Sequence, residues 1–583
     1  MRWISFLVAA VLVMLSACSG DSRADMVAVP SGPATLVSAR DLPMPLPAST
    51  SPDITPGDIH ERIRSLSDDA FEGRAPGSDV GEKTADWLAA EFARIGVRPG
   101  GERGSWFQPV AMVEQTLDET VSELVITGPN FSKSLALGED AVMWTKHQDQ
   151  HEFVFSGSEL VFVGYGIVAP EYGWNDYDGL DVAGKTVVML VNDPGYARGD
   201  ELFRGEAMTY YGRWTYKFEE AARQGATGAI IIHETAPASY GWNVVANSWS
   251  GGQSDLVRPN QGTDRAIFEA WMSYETAASV FSSAGLSLKD QKTAAKQQGF
   301  RAVALGQHQA SGRLVQTLTT KESRNVIGTL QGTDAADEYL LVMAHWDHLG
   351  RKPASRSGGP TEDFYRDEIF NGAVDNATGM AAMLEIAEAL AVTEQRRSIL
   401  FLAVTLEESG LLGSAYFAEN PTVSLSRTVA GLNIDGLLPL GKTHDMTVIG
   451  FGASDLEDIL AAHLAEQGRR ILPDQKPQAG YFYRSDHISL AKKGVPMLYA
   501  DNGIEKVDGG FAAGQALTEV YRAQRYHKPM DEYESSWDVS GMVEDSNTLL
   551  QVVKEVAASD TWPSWYPGNE FEAARLQSLS EAD

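Results

Sequence analysis

From about residue 320 onward, short unbroken apolar runs alternate with stretches of helical periodicity. EYLLVMA, SILFLAVT, TVAGLNI, MTVIGF and VPMLYA read as strands. Between the first two, Thr378 to about Leu390 puts Met380, Met383, Leu384 and Ala387 on one helical face. The strands lack polar alternation, so both of their faces are buried. That predicts the α/β class, a mostly parallel sheet covered by helices on both faces. Upstream the pattern changes. An early helix from about Gly81 to Ile95 carries Ala85, Leu88, Phe92 and Ile95 as a stripe. From about 130 to 310 short β runs with many glycines take over, as in ELVFVGYGIVAP, KTVVMLVND and, after the helix-like KFEEAARQG, GAIIIHE. The expected organisation is a β-rich module at 131–310 inserted into a larger domain made of 56–130 and 311–562, with a C-terminal tail at 563–583.

A chain of 583 residues exceeds what one core supports, which agrees with two domains. Acidic residues outnumber basic ones 79 to 47, and the net charge of −32 argues against DNA or RNA as a partner. The N-terminal MRWISFLVAAVLVMLSACSG has one Arg, a short apolar core and small residues before Cys18, the pattern of a secretory signal at 1–18. Leu15-Ser16-Ala17-Cys18 resembles the bacterial lipobox, which implies a diacylated Cys18 as membrane anchor. Ser19 after the cysteine favours the outer membrane within that class. Cys18 is the only cysteine, so no intramolecular disulfide can form. Residues 19–55, rich in Ser, Pro, Ala and Gly, read as a flexible tether.

Ligands bind beyond the carboxyl ends of strands in such sheets, and metal-capable side chains recur there. EYLLVMA runs into His345-Trp346-Asp347-His348, SILFLAVT into Glu407-Glu408, and TVAGLNI into Asp435; NGAVDNATG sets Asp375 just before a helix. Singly, Asp375 reads as a helix-start residue and Asp435 as a turn residue. Together at one sheet edge, the acids repel and call for a counter-charge that no adjacent Lys or Arg supplies. Mixed His and carboxylate donors suit Zn²⁺ or a similar divalent ion, and two ions about 3.5–4 Å apart can share a bridging carboxylate and a hydroxide. Of the adjacent pair, one Glu can bind metal while its neighbour faces substrate and moves a proton.

In this order, HWDHLG, GAVDNATG, TLEESGLLGS and LNIDG resemble the di-zinc exopeptidase family of bacterial secreted leucyl aminopeptidases, whose relatives include glutamate carboxypeptidases and glutaminyl cyclases. The likeness extends to LSDDAFEGRAPGS, and VGYGIVAPEYGWNDYDGLDVAGKTVVML resembles the protease-associated (PA) domain many members carry. The resemblance implies that His345, Asp375 and Asp435 bind one zinc, with Asp375 bridging to a second held by Glu408 and a later His. It makes Glu407 the general base and Asp347 the carboxylate that fixes the imidazole of His345. For the last ligand, Tyr526-His527-Lys-Pro-Met-Asp531 fits the family's late segment, so His527 is favoured over His487. Arg484, Asp486 and His487 then border the substrate pocket, and Tyr526 becomes an oxyanion donor. His348, pointing away from Asp347, is expected to be structural. Co²⁺ or Mn²⁺ are possible substitutes for zinc.

The expected activity is that of a lipid-anchored aminopeptidase acting on peptides. Carboxypeptidase action stays open, since Arg484 could grip a terminal carboxylate; a glutaminyl cyclase or an inactive surface binding protein are the other readings. His151-Glu152 and His233-Glu234 do not continue as HExxH, and there is no GxSxG elbow.

Overall fold

The computed structural model describes residues 44–45, 49–196, 198–352 and 368–582. The signal segment, Cys18 and most of the tether lie outside the described residues.

Helix α1 (Pro56–Leu66) starts where Thr55 accepts a hydrogen bond from the Asp58 amide and Pro56 occupies the first turn. Ser78 caps α2 (Asp79–Arg94) in the same way, through the Gly81 amide. After β1 (Phe107–Leu117) the chain builds a separate sheet from Glu123–Gly128, Ala141–Trp144, Glu152–Phe162, Thr186–Leu190, Gly228–Ile232 and Phe268–Met272. The last three run parallel, and their buried residues fill two clusters of their own. The return strand β2 (Val303–Leu330) serves both sheets. Its first half pairs with Glu152–Phe162 and Glu123–Gly128, and its second half pairs with β1 from Gln316 to Val326.

The main sheet continues with β3 (Ala335–His345), helix α3 (Gly379–Ala391), β4 (Arg397–Val404), β5 (Thr428–Asn433), β6 (Met497–Asp501) and helix α4 (Ser540–Ala558). In space the order is β2–β4–β3–β5–β6, with the last four parallel and β2 antiparallel. The MTVIGF run forms Asp445–Val448, an antiparallel neighbour of β6. The sheet is therefore parallel in its middle and antiparallel at its margins, and the α/β reading holds. Alternation along the strands divides the core: Leu340, Val342 and Ala344 pack with α1–α4, while Leu341, Met343, Leu400 and Leu402 pack against the opposite layer, which includes Phe417, Leu490 and Phe571. Register sets Met343 beside Leu402 and Asn433, so β3, β4 and β5 end at one level. His345, Glu407, Glu408 and Asp435 are delivered to that edge.

One buried cation ties three helices together. The Arg62 guanidinium on α1 lies 3.2 Å from Glu91 on α2 and 2.5 Å from both Glu385 and Glu388 on α3. Glu385 is pushed up to about 7 by burial, with Arg62 opposing. Removing one member of such a network costs about 3–5 kcal/mol, because a buried charge loses its partner. Arg62→Met is therefore expected to lower the urea midpoint by an equivalent amount. A midpoint within error of wild type would show that the network contributes nothing net.

Candidate metal centre

Asp375 stands at the middle of the site. Its Oδ1 lies 3.2 Å from His345 Nε2, and its Oδ2 lies 3.1 Å from His527 Nε2. His345 Nε2 is also 3.3 Å from Asp435 Oδ1, and His527 Nε2 is 3.1 Å from Glu408 Oε2. Two donor groups result, both containing Asp375: His345 with Asp435 on one side, and Glu408 with His348 on the other. One carboxylate facing both ways is the arrangement that two adjacent divalent ions require.

Each donor is placed by its element. His345 closes β3, and its Nδ1–H donates to the Asp347 backbone oxygen, 3.1 Å away. Leu406, buried and left-handed at φ 60°, turns the chain out of β4 so that Glu407 and Glu408 diverge from the strand. Asp435 follows β5, and Ser485 Oγ donates to its Oδ2 at 2.6 Å. The loop before α3 is fixed from below. Asp531 accepts hydrogen bonds from the Val374 and Asp375 amides at 3.1 Å, and Asn376 Oδ1 accepts from Gly379 and Gly436.

The structure separates the two candidate late histidines. His527 lies among the carboxylates. His487 is fully buried against Phe482 and Tyr499, with ring centroids at 4.5 and 5.0 Å, and burial pushes it down to about 3. His487 is thus a neutral ring in an apolar packing site. Asp486 beside it is buried and raised to about 7 by burial, with His345 opposing. The Arg484 guanidinium lies over the rings of Tyr240 and Tyr481, at 5.6 and 5.3 Å from their centroids. Tyr526 stacks on His527 with ring centroids 3.9 Å apart.

Three residues differ from expectation or were missed. His348, expected to be structural, has its Nδ1 2.6 Å from Glu408 Oε1. Past the end of β3 the backbone leaves strand geometry, so pointing away from Asp347 does not mean pointing away from the site. Asp347 reaches His345 chiefly through its carbonyl; its carboxylate Oδ1, 4.0 Å from the ring, accepts the Glu407 amide at 3.1 Å. Arg74 had no assigned role. It is fully buried beneath the site and donates to the carbonyls of Trp346, Leu66, Asn371 and Gly372 at 2.6–2.9 Å. It thereby pins the segments that carry His345 and Asp375. Its signal in the sequence is weak: the single cation within LSDDAFEGRAPGS, some 270 residues before the donors.

The electrostatics test whether cations fit. Burial would lower both histidines, yet the surrounding acids raise His345 well above its usual range and His527 to about 10. Among the described residues no Lys or Arg forms an ion pair with Asp375, Glu407, Glu408 or Asp435. Imidazole and carboxylate donors crowded without a side-chain cation are the chemistry that binds Zn²⁺, so the residues fit the metal.

Residues 325–550 match the model named Peptidase family M28. A probable zinc metalloprotease of Pyrenophora teres f. teres is 32% identical over 110 residues, covering 19% of this chain and 22% of that protein. A probable glutamate carboxypeptidase of Arabidopsis thaliana, AMP1, is 26% identical over 314 residues, or 49% of this chain and 39% of its own. The chain thus spans well under two thirds of these relatives. Among solved structures, the aminopeptidase from Aneurinibacillus sp. strain AM-1 aligns over 87% of this chain and 94% of its own, at 17% identity and a TM-score of 0.48.

Because His527 and not His487 stands among the donors, His527→Ala should lose roughly half of the bound zinc by elemental analysis of purified protein. His487→Ala should keep its full load. The reverse pattern would reassign the last ligand.

Proposed function

We propose that this chain is a zinc-dependent exopeptidase, most simply an aminopeptidase that removes N-terminal residues from peptides. The observation that carries the reading is the Asp375-centred donor set with Glu407 beside it. When bound, the ions supply the positive charge that polarises a peptide carbonyl and acidifies water enough for attack near neutral pH.

The two adjacent glutamates are driven apart electrostatically. Against burial, which alone would raise it, His527 and then His348 hold Glu408 down at about 2. Burial pushes Glu407 well above the ordinary carboxylate range; His345 opposes the shift, and Asp435, Glu408 and Asp486 add to it. Glu408 therefore stays an anionic donor, while Glu407 is the member of the pair whose environment favours holding a proton, the role a general base must fill. The Asp347 carboxylate holds the Glu407 amide and so fixes where that base sits. Glu407 takes a proton from the attacking water and passes it to the leaving amine. Tyr526, stacked on His527, would donate its hydroxyl to the charge developing on the attacked carbonyl, a role that rests on its resemblance to the family's late segment.

Substrate polarity is the finer question. The relatives' names include both an aminopeptidase and a glutamate carboxypeptidase, so carboxypeptidase action is the second reading. The PA-like character of the inserted module, and anchoring through Cys18 at the bacterial outer membrane, belong to the same proposal and rest on their sequence patterns. A lipidated N-terminus is expected to put the protein in the membrane fraction, where a Cys18→Ala protein would be absent.

Glu407→Gln should lower kcat by about 10²–10⁴-fold while zinc content stays at the wild-type level. Undiminished turnover would end the base assignment. Peptides acetylated at the N-terminus should resist hydrolysis while C-amidated ones are cut; the opposite preference would establish the carboxypeptidase.

A further inference from the structure

His527 is the least enclosed of the donors. Its side chain is 38% exposed, against at most 17% for His345, His348, Asp375, Glu408 and Asp435. Its backbone is left-handed at φ 56°, a conformation that a non-glycine residue keeps only where its surroundings impose it. A ring that packing does not enclose must be held through its neighbours.

Those neighbours converge on Tyr521. It stands near the end of the helix Gly510–Gln524, which lies on the surface with only Gly514 buried. The Tyr521 carbonyl accepts the amides of Arg525 and Tyr526 at 2.8 and 3.0 Å, closing the turn into His527. Its ring meets Tyr526 edge to face with centroids 6.1 Å apart, and Tyr526 in turn stacks on His527. Its hydroxyl donates to Oδ2 of the buried Asp531 at 3.3 Å. That same oxygen accepts the amides of Val374 and Asp375 at 3.2 and 3.1 Å. One side chain is thus tied to the supports of both partners in the 3.1 Å contact between His527 and Asp375.

Core packing does not account for Tyr521, which belongs to none of the apolar clusters among the described residues. The helix that carries it is itself anchored. A β-carbon at Gly514 would lie 1.9 Å from the Ile504 carbonyl oxygen, so only glycine lets the helix seat there. The Arg522 guanidinium sits 5.2 Å over the ring of Tyr481. Tyr521 therefore works from a fixed base.

We infer that Tyr521 is a positioning residue for the ion site made by Asp375, Glu408 and His527. It holds the exposed histidine and the loop of the shared carboxylate in one frame, acting through Tyr526 and Asp531. The inference rests on the metallopeptidase reading for the ion these donors take. Groups that orient metal ligands in this way change metal affinity about 10–100-fold when removed. His527 serves one side of Asp375 only, so the effect falls chiefly on one of the two ions.

The test titrates metal-free protein with zinc against a chelating indicator. It compares wild type, Tyr521→Phe, Tyr521→Leu and, at an exposed position of the same helix, Leu517→Ala. Tyr521→Phe deletes only the hydroxyl and should weaken one of two zinc ions about 10-fold; Tyr521→Leu also removes the ring and should weaken it about 100-fold. The other ion should stay within about threefold, and Leu517→Ala should match wild type. Cobalt-loaded Tyr521→Phe should show an altered visible absorption band, which reads ligand geometry and not fold stability. The metal-free variants should melt within about 3 °C of wild type. With saturating zinc, Tyr521→Phe should lower kcat about 3–10-fold and leave KM within about twofold. Wild-type zinc affinities in Tyr521→Leu with an unchanged cobalt band in Tyr521→Phe overturn the assignment. A loss in Leu517→Ala equal to that in Tyr521→Leu also overturns it, since the helix as a whole would then be responsible. Zinc-loaded wild type that hydrolyses no peptide would instead overturn the peptidase reading, and the zinc titration would still decide the role of Tyr521.

Discussion

Like charges crowded in a dry place set the terms for this molecule. Glu407, Glu408, Asp375 and Asp435 meet at the end of strands buried on both faces, and the nearest side-chain cation, Arg74, spends its hydrogen bonds on backbone carbonyls. Two histidines 3.1–3.3 Å from the carboxylates cannot balance that charge while remaining neutral donors. Divalent ions are the counter-charge that this donor set suits while its histidines stay neutral.

The rest of the main domain can be read as support for that edge. Parallel register ends β3, β4 and β5 together, so donors from distant parts of the chain arrive at one level. Ser485, Asn376, Asp531 and Arg74 then lock the loops, each through hydrogen bonds to a donor or to its neighbouring backbone. Such outer supports keep ligand geometry fixed when the site exchanges water, substrate and product. The Arg62 network fastens the helical layer behind the same strands.

The inserted module is fastened to the domain that carries the site. Tyr210 of the module donates its amide to Glu570, and the Met208 amide donates to the Pro477 carbonyl. Arg484 of the main domain lies over the ring of Tyr240 from the module as well as over Tyr481. The continuous strand β2, shared by both sheets, makes the placement a property of the backbone.

Local patterning was enough to establish the α/β class and the strand ends that His345, Glu407, Glu408 and Asp435 follow. Unbroken apolar runs report burial on both faces, and chemistry-bearing residues straight after them report a sheet edge. The preference for His527 over His487 came from a resemblance alone, because periodicity does not say which loop folds over the edge. The sequence by itself misjudged His348, since strand alternation does not extend into an irregular turn. Arg74 was out of reach for the same reason: it acts across hundreds of residues, on groups that only tertiary contact brings near. Periodicity is a local signal, carried by neighbours in the chain. Coordination and charge pairing depend on distances through space, and those were decided only when the sheet, the loops and the inserted module packed together.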